Sequence, residues 1–381
     1  MRVLIAHSFY RTSGGEDGCV QQQLNLMSHT HEVQLLGKRN RDLRGGPSTA
    51  LRMLYSQRVR DEVEAYIRAF RPDVVHLHNS YPALGPAVFL AAKSLQIPLV
   101  MTVHNYRLRC PNGYMFTAGS TCTRCEGGGY HNAVLHPCFA TKEQSVAYAS
   151  SLWFHRFVLR LEDTVSLFVC PSEFMRTTLQ RWGVPMEKLR LIRNFTQPVT
   201  DADSAPGEYG AFAGRLSSEK GLNVLLDALR NAGDPPFRIL GDGPDLGRLR
   251  RTASELGLVH TRFEGRAPAE TVDQVLRGAR FVALPSLSNE NAPLAALEAM
   301  ARGRPLVVSA VGGLPELAED GRGRIARAGD VTDFCRHVAS LMSEAESCRR
   351  AGARALAFAQ EELTPERHLA QLEEAYRDLI A

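Results

Sequence analysis

Gly210-Ala-Phe-Ala-Gly214-Arg215-Leu-Ser-Ser-Glu219-Lys220-Gly221-Leu222 is the stretch that decides the fold. It reads as a short apolar strand with a Gly-Arg end, a brief loop, and a Lys-Gly pair that opens a helix. Its place in the chain matters as much as its content. Six β-like runs precede it: Arg2–Ser8, Glu32–Gly37, Val74–His78, Leu99–His104, Leu167–Ser172 and Leu189–Asn194. Longer amphipathic stretches separate them. From Gly210 the alternation starts afresh, with Gly210–Arg215, Phe237–Gly241, Thr261–Gly265, Phe281–Ser286, Pro305–Ala310 and Arg324–Arg327. Runs such as Leu99-Val-Met-Thr-Val-His104 are apolar on both faces, as strands of a parallel sheet are. Strand–helix–strand alternation predicts doubly wound α/β domains, and the restart predicts two of them.

Between the two series, Thr196–Glu208 mixes turn formers with small residues and reads as a linker. The last segment reads as one helix, with Thr364 as N-cap, Pro365 at the first helical position, and an apolar stripe of Leu369, Leu372, Tyr376 and Leu379. The 381 residues suit two domains of ordinary size, and 44% apolar with 23% charged residues suits a soluble globular protein. No apolar run approaches the roughly 20 residues of a membrane span, and the start lacks the pattern of a signal peptide. The expected location is the cytoplasm. Net charge is +4, unevenly spread: residues 1–195 hold 23 Lys and Arg against 14 Asp and Glu, residues 196–381 hold 22 against 27. Lys38, Arg39, Arg41, Arg44, Arg52, Arg58 and Arg60 face only Asp42 within their own stretch. This is either a basic face for anionic lipid at the inner side of the cell membrane or an ordinary solvated surface.

Ligands of open α/β sheets bind beyond the carboxyl ends of the strands, so the residues after each run are the functional candidates. After Phe281–Ser286 comes Glu290-Asn291-Ala292-Pro293-Leu294-Ala-Ala-Leu-Glu298. Two carboxylates eight positions apart across a helix start span on the order of 12 Å if helical. That suits a sugar at one end and a ribose at the other, with backbone N–H groups between them for a diphosphate. A plain helix that starts with acids reads the same way. Arg215 offers a planar fork and Lys220 a mobile charge for phosphate oxygens. Gly14 and Gly15, within Ser13-Gly14-Gly15-Glu16, let backbone approach a ligand. His104 ends its run and can donate to a substrate hydroxyl or serve as a structural histidine. Gly241-Asp242-Gly243-Pro244 is a further strand-end loop.

Taken in order, the Gly-Gly-Glu loop, Gly-Arg-Leu-x-x-x-Lys-Gly, Gly-Asp-Gly-Pro, Glu-x7-Glu and Gly312-Gly-Leu-Pro-Glu316 resemble the retaining glycosyltransferases of family 4, also described as glycosyl transferases group 1. The resemblance covers most of the chain. It implies a GT-B fold, two doubly wound Rossmann-like domains facing each other across a cleft. Residues 1–195 would form the acceptor side, with an insertion at 106–140. Residues 196–364 would bind the donor, and 365–381 would pack back on the first domain. The resemblance implies catalytic or sugar-facing roles for Glu290 and His104, and diphosphate contacts for Arg215 and Lys220. It implies ribose contacts for Glu298 and sugar contacts for backbone of Asn291, Ala292 and Leu294. Gly14 and Gly15 would lie near phosphate, and Gly241, Gly243 and Arg266 near the base. Many members carry Gly-Phe-Gly after the first Glu. Here Asn291-Ala292-Pro293 stands instead, and Pro293 has no N–H to give.

The implied reaction moves a sugar from a UDP- or GDP-sugar to an acceptor hydroxyl of a glycan, lipid-linked or small molecule, with retention and no cofactor. No Asp-x-Asp suited to carrying Mg²⁺ is apparent, and no nucleic acid is implied. An epimerase of the same fold or a non-catalytic sugar-nucleotide-binding partner are the rivals. A nicotinamide dehydrogenase is disfavoured because the first strand–helix turn lacks G-x-G-x-x-G. Cys110, Cys122, Cys125 and Cys138 give C-x11-C-x2-C-x12-C, with His131 and His136 nearby. Structural Zn²⁺ is one reading of this Gly-rich insertion, disulfides and free thiols the others.

Overall fold

The computed structural model describes residues 1–12, 14–43, 45–136 and 138–380. Ser13 of the Gly-Gly-Glu loop and Arg44 of the basic stretch lie outside the described residues. The chain forms two compact units. One is Met1–Ala118, Cys122–Ile192 and His368–Ala381, the other Gly119–Thr121 and Arg193–Arg367.

In the N-terminal unit the strands are β1 (Arg2–Phe9), β2 (Glu32–Arg39), β3 (Val74–Asn79), β4 (Leu99–Thr102), β5 (Leu167–Cys170) and β6 (Leu189–Leu191). They form one parallel sheet in the order β2-β1-β3-β4-β5-β6. Strand periodicity sends alternate side chains to opposite faces. Val3, Ile5, Val74, Val100 and Val169 go to one face, where Val20 and Met27 of helix Gly15–Met27 meet Leu372 and Tyr376 of helix Pro365–Ile380. Leu4, Ala6, Val75, Leu77 and Phe168 go to the other. There helix Gln57–Phe70 supplies Val59, Val63, Ile67 and Phe70, one stripe at helical spacing. Ser56 caps that helix by accepting from Val59 N–H, and Arg71 ends it in a left-handed conformation. Each fully buried side chain of this size stabilises the unit by about 1.5–3 kcal/mol.

The second unit repeats the plan with β7 (Tyr209–Ala213), β8 (Phe237–Leu240), β9 (Thr261–Gly265), β10 (Ala279–Leu284), β11 (Leu306–Ser309) and β12 (Gly323–Ala326). Their order is β9-β8-β7-β10-β11-β12, again parallel. Ala211, Val282 and Val308 pack on one face, Phe212, Phe281 and Val307 on the other.

Both orders reverse once, between β1 and β3 in the first unit and between β7 and β10 in the second. Connections leave to opposite sides at such a switch point and open a crevice beyond the strand ends. The loops after β7 and β10 therefore come together, as do those after β1, β3 and β4.

Candidate functional site

At the switch point of the second unit, Lys220 Nζ lies 2.6 Å from Glu290 Oε1, and Ser286 Oγ donates to the same oxygen at 2.7 Å. Lys220 and Glu290 are 70 positions apart and meet only because β7 and β10 are neighbours. Glu219 stitches the two loops. Its carbonyl accepts from Leu287 and Ser288 N–H, and its carboxylate takes Arg215 and Ser217. Those partners hold the Glu219 carboxyl below the usual range against the opposing effect of burial. Gly221, at φ 67°, sits where a Cβ would fall 2.0 Å from Pro285 O, so only glycine lets the loops approach.

A third loop locks Glu290 from below. Gly313 N–H donates to Glu290 O at 2.7 Å, and a Cβ on Gly312, at φ 60°, would lie 2.0 Å from that oxygen. Asn194 Nδ2 reaches Ala292 O, and Arg193 pairs with Glu316 at 3.1 Å. Helix Leu294–Met300 begins only after Pro293. The helical rise thus covers only part of the interval from Glu290 to Glu298, because Glu290–Pro293 is loop. Glu298 is half-buried, and burial raises its carboxyl, with Arg302 acting against it. Arg302 spends its guanidinium on Asp273 and on Glu298's own carbonyl. No hydrogen bond from the described residues reaches the Glu298 carboxylate. The loops after β7, β8 and β9 are joined as well: Leu216 N–H to Asp242 O, and Gly241 N–H to Gly265 O. Gly241 and Gly243 there abut Gly214 and Leu216 backbone too closely for a side chain. Arg266 follows β9 and is exposed.

In the N-terminal unit Gly14 caps helix Gly15–Met27, whose first turn holds Glu16 and Asp17. Asp17 Oδ1 lies 2.8 Å from His7 Nε2. Glu16 Oε2 accepts from Tyr10 OH at 2.8 Å and Asn105 Nδ2 at 3.1 Å. Burial raises the Glu16 carboxyl, and His7, Tyr10, Asn105 and Arg107 oppose the shift. His104 lies two residues past β4, and its Nε2 is 2.8 Å from His78 Nδ1. Burial, followed by His7 and His368, lowers His104 to about 3. A pocket opens beside these residues, lined by His78, Tyr81, His104, Asn105 and Arg107 among others. Sequence reading gave Glu16 and Asn105 no role and missed His78 and Tyr10. The signal for His78 was the His-x-His at the end of β3, polar where its neighbours are apolar.

The four clustered cysteines line one small pocket with Met115, Phe116 and Glu126, and all are free thiols. Burial, with Cys110, Cys138 and Cys122 adding to it, pushes Cys125 up to about 12. The thiols bond elsewhere: Cys110 to Asn112, Cys122 to Arg124, Cys125 to Gly129 O, Cys138 to Thr117. Among the described residues no three His, Cys, Asp or Glu side chains are arranged to hold a metal ion. The basic stretch is partly neutralised: Lys38 and Arg58 share Glu62, and Arg60 pairs with Glu64. Among the described residues no helix is long and apolar enough to cross a membrane.

Two six-stranded parallel sheets, each with strand-end loops knitted together at its switch point, define a protein of the GT-B architecture. Residues 12–194 match the model of the glycosyl transferase 4-like domain, and residues 206–357 match that of glycosyl transferases group 1. The chain belongs to the GT-B glycosyltransferases, in the group similar to family 4. A relative from Bacillus subtilis, the putative teichuronic acid biosynthesis glycosyltransferase TuaC, is 27% identical over 66% of this chain and 56% of its own. The D-inositol 3-phosphate glycosyltransferase of Nocardia farcinica is 36% identical over 41% of this chain and 37% of its own. The chain thus spans about half or less of these relatives' length. Among solved structures, Anabaena Alr3699/HepE in complex with UDP and glucose matches with a TM-score of 0.71 at 18% identity, over 99% of this chain and 100% of the other. Sucrose-phosphate synthase from Thermosynechococcus elongatus matches at 0.70 and 17%, over 99% of this chain and 98% of the other. At such identities the likeness is one of fold.

Proposed function

We propose that the protein transfers a sugar from a nucleoside-diphosphate sugar, with UDP or GDP as the nucleotide, to an acceptor hydroxyl with retention at the anomeric carbon. The Lys220–Glu290 pair, seated at the switch point beside Arg215, carries the reading. A diphosphate arriving there takes over Lys220 and Arg215, which stabilise the charge that develops as the sugar departs. Freed from Lys220, Glu290 accepts from hydroxyls of the transferred sugar. Glu298, without a donor among the described residues, takes the ribose hydroxyls; a carboxylate is an acceptor for two such donors. The base lies by Gly241, Gly243 and Arg266. In the N-terminal unit, Gly14 and Gly15 approach phosphate, and His104 donates to the sugar or acceptor. The acceptor hydroxyl attacks from the face the nucleotide leaves, and the leaving phosphate takes its proton. The bond from the anomeric carbon to phosphate oxygen breaks as the bond to the acceptor forms. The name of the teichuronic acid relative supports a role in polysaccharide biosynthesis, and that of the D-inositol 3-phosphate relative supports a small-molecule acceptor.

The test is donor consumption by proton NMR with a panel of UDP- and GDP-sugars and simple glycan acceptors. An axial anomeric donor giving an axial product supports the reading. An inverted product, or epimerised free sugar without transfer, overturns it.

Two smaller proposals stand beside it. A structural Zn²⁺ on Cys110, Cys122, Cys125 and Cys138 requires the thiols to leave their present partners and turn into the pocket they line. Elemental analysis decides: one zinc per chain supports it, none refutes it. Peripheral contact with anionic membrane rests on side chains at the surface of the N-terminal unit. Trp153, Phe157 and Val158 are about half exposed, and Lys142 and Arg160 on the same stretch are also exposed. Aromatic residues flanked by cations suit a lipid interface. Retention on anionic vesicles at low salt, lost in Trp153→Ser with Phe157→Ser, is the expected result, and no retention by the wild type removes the proposal.

A further inference from the structure

Three histidines form a row at the carboxyl end of β3 and β4. His76 and His78 alternate onto one face of β3, their rings 4.5 Å apart and 16° from parallel. His76 is fully buried and held on both sides: Tyr376 OH and Gln23 Nε2 reach its Nδ1, and its Nε2 lies 2.7 Å from Thr102 Oγ1. His78 is 2% exposed. Its Nδ1 lies 2.8 Å from His104 Nε2, with the two ring planes 18° apart. Imidazole N–H groups and lone pairs lie in the ring plane, so near-parallel rings at this distance make a well-aligned bond.

Burial keeps His78 and His104 neutral near pH 7. Between two neutral rings one nitrogen of the bond carries the proton and the other accepts it. The other nitrogen of His78 decides which. Nε2 is buried without a partner among the described residues. A buried N–H without an acceptor is rarer and costlier than an idle lone pair. The His78 proton therefore sits on Nδ1, and His78 donates to His104 Nε2. A neutral His104 must then carry its own proton on Nδ1. That nitrogen has no protein partner among the described residues, and His104 borders the pocket.

We propose that His78 is a positioning residue for His104: its Nδ1–H occupies His104 Nε2 and thereby presents His104 Nδ1–H as a fixed hydrogen-bond donor to the ligand. The function assigned to that donor rests on the transfer reading, while the tautomer does not. His104 is then pre-set to stabilise a hydroxyl or developing oxyanion without being charged. Fixing the tautomer by a second group is the usual way a working histidine is oriented.

The test needs no substrate. Histidine-selective ¹⁵N labelling and two-bond ¹H–¹⁵N correlation at pH 7.5 distinguish protonated from bare ring nitrogens, with the His104 signals assigned by their loss in His104→Gln. The expected wild-type spectrum has a protonated Nδ1 and a bare Nε2 on His104. In His78→Asn the side-chain amide stands where Nδ1–H stood and keeps this pattern. In His78→Leu the donor is gone, and His104 moves toward the Nε2–H form. Once a donor is known, kcat falls about tenfold in His78→Leu and stays within about twofold in His78→Asn, as loss of one oriented hydrogen bond implies. A wild-type His104 protonated on Nε2 overturns the proposal even if no variant folds. So does an Nδ1–H pattern unchanged in His78→Leu. Failure of every nucleotide to bind, with the tautomer as expected, counts against the transfer reading alone.

Discussion

Acidifying the protein from pH 7.5 to 5.0 weakens the N-terminal unit first, because buried histidines are concentrated there. Burial lowers His76 to about 3 and His155 to about 4, against an ordinary value of 6.5. The folded-state values lie below the unfolded ones, so the unfolded chain takes up protons first. The stability these residues contribute is complete above about pH 6.5 and is lost as pH falls toward 4 and 3. At pH 5.0 each costs RT times the logarithm of roughly 30, about 2 kcal/mol. Two give about 4 kcal/mol, a large part of the roughly 5–15 kcal/mol that holds a domain folded. His104, also lowered to about 3, adds about 2 kcal/mol more, and His78, lowered in the same direction, adds to the loss. Glu16, raised by burial, pulls the other way. Glu62 and Glu64 are lowered carboxylates and act below this window. The assay is a urea titration followed by tryptophan fluorescence, since both tryptophans, Trp153 and Trp182, belong to the N-terminal unit. With a slope of about 2–3 kcal/mol per molar urea, the midpoint falls by at least about 2 M. His155→Gln keeps a donor for Leu54 O, which His155 Nε2 now faces at 3.0 Å, but cannot titrate. It should remove about a third of the pH dependence at most. A midpoint that stays put between the two pH values, or one whose pH dependence ignores His155→Gln, would refute the reasoning.

Gly312→Ala sets a Cβ 2.0 Å from Glu290 O at φ 60° and should cost about 2–4 kcal/mol, seen as a fall of several degrees in the melting of the second unit. Lys220→Ala should weaken nucleoside-diphosphate binding about tenfold or more while leaving the nucleoside almost unaffected, measured by calorimetry; equal losses for both would contradict a diphosphate contact. Tyr376→Phe removes the hydroxyl on His76 Nδ1 and should destabilise the N-terminal unit by about 1 kcal/mol in the same urea assay. Phe281→Ala empties a fully buried position beneath the second sheet and should cost about 3–5 kcal/mol.

The parallel sheets were legible because runs such as β4 and β5 are apolar on both faces, a pattern few other elements produce. Eight of the twelve strand ends were read one to three residues too long and the first three one or two too short, and one of the long ends mattered. His104 was read as the end of its run, whereas the strand stops at Thr102 and leaves His104 in the following loop. The pairing of His104 with His78, 26 positions away, depends on which strands are neighbours, and periodicity is silent on that. The same holds for Lys220 with Glu290, and for Glu16 with Asn105 across 89 positions. The partners of the basic stretch were within reach: Glu62 and Glu64 sit four residues after Arg58 and Arg60, the helical spacing for an ion pair, just past the window counted. The cysteine spacing said only that the thiols are near one another. Which way each turns is set by Asn112, Arg124, Gly129 and Thr117, residues chosen by the fold of the insertion.

The measurement that bears most directly on the donor site is a calorimetric titration of UDP and GDP into the wild type, Glu298→Ala and Lys220→Ala. One nucleotide binding the wild type, with at least tenfold weaker binding in both variants, is the result expected of a ribose held by Glu298 and a diphosphate held by Lys220. Binding of neither nucleotide, or binding that both variants leave intact, would contradict it.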